Sequence, residues 1–101
     1  MTKVTESNFN EVVIQAKEPV FVYFSMDNWP PCGRISPFLA VCEEKYSKDI
    51  PFIEFNKADG LDMIRAQGVK GFPTIAIYVD GKMVESTHSQ DDVEPMIQKY
   101  I

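Results

Sequence analysis

Residues 24–37 read FSMDNWPPCGRISP, and this stretch decides the architecture. On its N-terminal side, Val20–Ser25 (VFVYFS) is apolar on both alternations and rich in β-formers, the pattern of a strand covered on both faces of a sheet. On its C-terminal side, Ile35, Phe38, Leu39, Val41, Cys42 and Tyr46 keep a helical period from Pro30 to about Lys48, with Pro37 expected to kink the helix. A central strand that runs through a polar loop into a helix is where open α/β sheets place their sites.

The same reading extends outward. Lys3 to Glu6 is expected as a leading strand, and Ser7 or Asn8 as the cap of a helix carrying Phe9, Val12, Val13 and Ala16 and stopped by Pro19. Phe52–Phe55 reads as a strand, Asp59–Gln67 as a helix bearing Leu61, Ile64 and Arg65, and Gly68 as its end cap. Residues 74–79 form the next strand, Asp80-Gly81 is a two-residue hairpin signal, and Lys82–Ser86 returns antiparallel. A last helix should be capped by Asp91 with Glu94 as its capping-box partner, turning Val93, Met96, Ile97 and Tyr100 inward. The order β-α-β-α-β-α-β-β-α predicts three crossovers, an α/β mixed sheet with helices on both faces, and one antiparallel hairpin.

Composition narrows the function classes. The 101 residues are 45% apolar with no break in composition, so one domain spanning 1–101 is expected. Ten basic against fifteen acidic residues give a net charge of −5, which argues against nucleic acid or an anionic membrane as partner. No apolar run approaches a membrane span, and MTKVTESNFN lacks the apolar stretch of a signal peptide, so a cytoplasmic monomer is expected. Two cysteines, Cys32 and Cys42, and a single histidine, His88, offer no zinc spacing, so neither a metal nor another cofactor is expected. His88 has no Ser, Cys or carboxylate constellation in sequence and reads as a surface residue.

The segment Phe24–Pro37 resembles the thioredoxin signature, in which a strand ending in Phe leads into Trp-Cys-X-X-Cys and, five residues on, a helix-kinking Pro. Aligned without gaps, Cys32 matches the second, resolving cysteine, Pro31 the proline before it and Asn28 the Trp. Trp29 then stands at the attacking cysteine. A one-residue deletion balanced by inserting Gly33 would match Trp29 to the family Trp instead, and that register also lacks the first cysteine. Gly71-Phe72-Pro73-Thr74 resembles the family's cis-proline loop, and Asp80-Gly81-Lys82 its strand-strand turn. The resemblance also implies a buried Asp at the position of Tyr23, a Lys at that of Glu54 and a Gly at that of Ser89.

Family chemistry takes two sulfurs: an exposed thiolate attacks a substrate disulfide, and a neighbouring thiol displaces the product. With Trp29 in the first position, Cys32 is left as the one candidate catalytic residue of the motif Trp29-Pro30-Pro31-Cys32. Cys32 reads either as a reactive monothiol or as a shielded, sluggish one, whereas Cys42 lies on the apolar stripe of its helix, roughly 15 Å along the axis, too far to bridge. Trp29 reads either as an anchor for a protein or peptide partner, rimmed by Pro30, Phe72 and Pro73 in a groove beside Cys32, or as a side chain folded back into the old site. Two functions follow: altered thiol-disulfide exchange with little dithiol reductase activity, or a non-catalytic binding module.

Overall fold

The computed structural model describes residues 1–101. Its centre is β2 (Val20–Ser25), every residue of which is buried. Two parallel neighbours lie on one side, β3 (Phe52–Asn56) and then the edge strand β1 (Thr2–Val4), while β4 (Thr74–Val79) and β5 (Lys82–Thr87) are antiparallel on the other, giving the order β1-β3-β2-β4-β5. This is the mixed α/β sheet that the alternation of elements predicts.

Strand pleating sorts β2 between two cores. Phe21 and Tyr23 face α1 (Pro30–Tyr46) and α3 (Val93–Gln98), packing with Leu39, Cys42, Ile75 and Ile97. Val20, Val22 and Phe24 face α2 (Leu61–Ala66) and the segment after β1, packing with Phe9, Phe55, Ile64 and Tyr78. Helices therefore cover both faces. Fully burying one such aliphatic or aromatic side chain stabilises by about 1.5–3 kcal/mol, so these two layers dominate the fold.

Several local expectations are corrected. The first helix is a π-helical turn, Asn10–Ile14, with Gln15 N–H bonded to Asn10 O. Its entry is organised by Thr5, whose hydroxyl accepts from Ser7 N–H while Asn8 Oδ1 accepts from Thr5 N–H; Ser7 and Asn8 thus do not act as the cap themselves. Val41 is exposed rather than part of the core stripe. Only two of the three helical connections join parallel strands, because the one through α2 delivers β4 antiparallel to β2. No Asp91–Glu94 capping box forms. A 3-10 turn, Gln90–Asp92, precedes α3, and the Glu94 carboxylate is taken by Lys45 Nζ at 2.7 Å and Tyr46 Oη at 2.6 Å.

Other local signals hold. Gly68 ends the α2 region at φ 85°, and Asp80 and Gly81 turn the hairpin with φ values of 52° and 78°, the type I′ signature. The Phe72–Pro73 peptide is cis.

Candidate functional site

The carboxyl end of β2 brings three segments together. β2 ends at Ser25, and after Met26 and Asp27 the chain passes through Asn28, held in the left-handed region at φ 55°. Trp29 is extended and starts α1, with Pro30 and Pro31 filling the first positions, where a missing N–H costs nothing. The Trp29 carbonyl accepts from Cys32 N–H at 3.0 Å and Gly33 N–H at 3.1 Å. Because Phe24 lies opposite Thr74 in the β2–β4 register, the Gly71–Thr74 loop arrives at the same end of the sheet.

The two loops are joined by one bond. Trp29 Nε1–H donates to the Phe72 carbonyl at 2.9 Å, and the ring stays 43% exposed. Cys32 is 4% exposed. Cys32 borders a cleft of about 420 Å³ lined also by Tyr23, Ser25, Asp27, Trp29 and Glu54, whereas Pro31, Phe72, Pro73 and His88 border a separate, shallow depression.

The cleft floor is a polar network set by sheet register. Ser36, four residues after Cys32 on α1, donates its hydroxyl to the Cys32 carbonyl at 2.8 Å, and the Tyr23 hydroxyl, 3.0 Å from Ser36 Oγ, donates to the same carbonyl at 3.4 Å. Burial pushes the Tyr23 phenol up to about 12; the Ser36 bond opposes this, and the neighbouring Cys32 and Glu54 add to it. The β2–β3 register sets Tyr23 beside Glu54 and Ser25 beside Asn56. Ser25 Oγ donates to Glu54 Oε2 at 2.7 Å, while Asn56 Nδ2 donates to Ser25 Oγ at 3.2 Å and to Asp27 Oδ1 at 3.0 Å.

Both cysteines are free. Cys42 is 1% exposed in the α1 layer, where burial pushes its thiol up to about 11. No group of three or more His, Cys, Asp and Glu side chains is placed to hold a metal ion, and no helix is long and apolar enough to cross a membrane.

A family model described as Thioredoxin matches residues 1–101. The chain belongs to the thioredoxin family. It is 29% identical to a thioredoxin of Acetoanaerobium sticklandii over the full length of both chains, and 27% identical to a thioredoxin of Porphyra purpurea over 100% of this chain and 97% of that one. A solved structure of Plasmodium falciparum thioredoxin superposes with a TM-score of 0.88 at 26% identity, covering all of both chains. Family membership carries with it thiol-disulfide exchange in general and the binding of protein substrates.

Sequence reasoning missed two contributors to the loop. Thr74 Oγ1 donates to Gly71 O at 2.7 Å, and the exposed His88 reaches Pro73 O through Nδ1 at 2.8 Å. A carbonyl only accepts, so Nδ1 carries the His88 proton. Ser36 was within reach, being i+4 from Cys32 on a helix. His88 was not, because a register shift in β5 between Ile77 and Tyr78 of its partner brings it to Thr74.

Proposed function

We propose that this thioredoxin family member has little or no dithiol reductase activity and acts at most in monothiol exchange through Cys32. The observation that carries this reading is the sulfur inventory: a buried Cys32, Trp29 three residues before it, and Cys42 sealed in the core further along the same helix. A Cys32 thiolate that attacks a substrate disulfide forms a Cys32–S–S–R bond and expels the other sulfur as thiolate. Release then needs an external low-molecular-weight thiol, whose sulfur bonds to one half of the mixed disulfide as the other half leaves. That thiol, at millimolar concentration, replaces an intramolecular partner whose effective molarity reaches about 10⁵ M or more in well-aligned cases.

The test is reduction of a protein disulfide substrate with a recycling reductant. The expected rate is no higher than that of the reductant alone. A rate equal to that of a two-cysteine thioredoxin under the same conditions overturns the reading.

A second reading has its own support in the exposed Trp29 and in the Phe72 N–H, which donates to no acceptor within the chain. In it the chain is a non-catalytic binding module, a cytoplasmic monomer whose Trp29, Phe72 and Pro73 hold an extended protein or peptide segment by backbone pairing and apolar contact, with no nucleic acid or membrane involved.

A further inference from the structure

Three successive carbonyls, those of Gly71, Phe72 and Pro73, each accept a hydrogen bond from a side chain: Thr74 Oγ1 at 2.7 Å, Trp29 Nε1 at 2.9 Å and His88 Nδ1 at 2.8 Å. Two of these donors are local. Thr74 is 3% exposed and begins β4, and His88 directly follows β5 and also contacts Thr74 Oγ1 at 3.3 Å. The third donor differs. Trp29 comes from 43 residues away, is 43% exposed, makes no second side-chain hydrogen bond, and follows Asn28 at φ 55°.

Phe72 itself is asymmetric. Its N–H donates to no acceptor within the chain, while its C=O is held by the indole. A residue pairs with an extended segment through both groups, N–H to one carbonyl and C=O to one amide. Phe72 therefore presents one group open and one closed.

We propose that Trp29 is a displaceable latch on the Phe72 carbonyl, closing the peptide groove until a partner amide replaces the indole N–H. This rests on the binding-module reading of the site and adds its regulation. The partner it implies is an extended segment able to offer one residue's N–H and C=O to Phe72, and opening exchanges one neutral hydrogen bond for another. Trp29→Phe should free the carbonyl by removing the indole N–H while keeping an aromatic, though smaller, ring at the site.

The experiment compares wild type with Trp29→Phe. A random-peptide display library is selected on each protein, and the selected peptides are titrated against both. A ¹⁵N-labelled wild-type sample reports solvent exchange of the single indole N–H before and after peptide addition. The latch is supported if Trp29→Phe binds the selected peptides about five-fold tighter, the equivalent of about 1 kcal/mol, and the wild-type indole N–H exchanges faster in the complex. Peptides selected only by Trp29→Phe support it as well. Equal or weaker binding by Trp29→Phe overturns the latch and leaves the groove standing. Selection of no peptide by either protein removes the groove reading and the latch together.

Discussion

Replacing Trp29 by Cys writes Cys-Pro-Pro-Cys across residues 29–32, and positions i and i+3 at a helix start lie within disulfide range. The first chemical step then has its sulfur; the second depends on who takes the Cys32 proton. Tyr23 is the buried acid-base group beside Cys32, and burial pushes its phenol up to about 12. At pH 7 about one molecule in 10⁵ would carry the phenolate. Its hydroxyl is also engaged by Ser36 Oγ at 3.0 Å and by the Cys32 carbonyl at 3.4 Å. A positioned general base contributes typically about 10²–10⁴-fold, so Trp29→Cys should reduce protein disulfides above the reductant background yet about 10²-fold or more below a two-cysteine thioredoxin. The deficit should appear as accumulated mixed disulfide when reactions are alkylated and weighed by mass spectrometry. Adding Tyr23→Asp should speed release. That change trades a side chain 3% exposed for a void and a buried carboxylate, at about 3–5 kcal/mol, so rates are compared at a temperature where urea melts show both variants folded. Tyr23→Phe, which keeps the shape and supplies no base, should leave release slow. Full family turnover by Trp29→Cys alone, with no adduct, would refute the assignment of Tyr23 as the missing proton acceptor.

Stability should fall at alkaline pH. Burial raises Cys42 from 9.0 to about 11 and Tyr23 from 10.0 to about 12, so the fold holds both neutral. Their contribution is complete below about pH 9 and is lost as pH rises through those values, about 2 kcal/mol from Cys42 by pH 11. Urea midpoints should drop over that range and flatten in Cys42→Ala; a constant midpoint from pH 8 to 11 would contradict this. Gly81→Ala should destabilise by about 2–4 kcal/mol, because φ is 78° and an added Cβ would lie 2.6 Å from Ile14 O. Gly68→Ala, equally left-handed but facing open space, should cost only about 1–2 kcal/mol in thermal or urea melts.

The sheet and its covering were legible because the signals are local and redundant. VFVYFS is apolar on both alternations and lies at the centre; Asp80-Gly81 turns the hairpin; and Val93, Met96 and Ile97 face inward as their period requires. What was hidden depends on partners distant in sequence. Glu94 has the right spacing for a capping box, yet a lysine and a tyrosine 49 and 48 residues away claim its carboxylate. Val41 fits the helical stripe by type, but its face of α1 meets solvent. Phe9 and Val13 are buried as expected, since a π turn and an α turn both bring residues four apart to one side, and hydropathy does not separate the two. The motif put Cys32 and Trp29 at the carboxyl end of β2, where the structure has them, whereas the lining of one hollow by Cys32 and of another by Phe72 and Pro73 follows from how two loops meet.

Tyr23 and Glu54 are best understood as a matched pair rather than as two separate departures. They are register partners on adjacent strands and line one cleft. A second carboxylate at position 23 would sit beside Glu54, where like charge and burial both penalise its ionised form, while a neutral phenol tolerates that neighbour and can hydrogen-bond Ser36 and the Cys32 carbonyl. Glu54 in turn is satisfied by Ser25, which Asn56 supports, and no buried side-chain nitrogen or oxygen in the chain lacks a partner. A group poised for proton transfer has its pKa matched to the working pH, and Tyr23, pushed up to about 12, does not. Here every hydroxyl beside Cys32 already has an acceptor, which favours a site at rest.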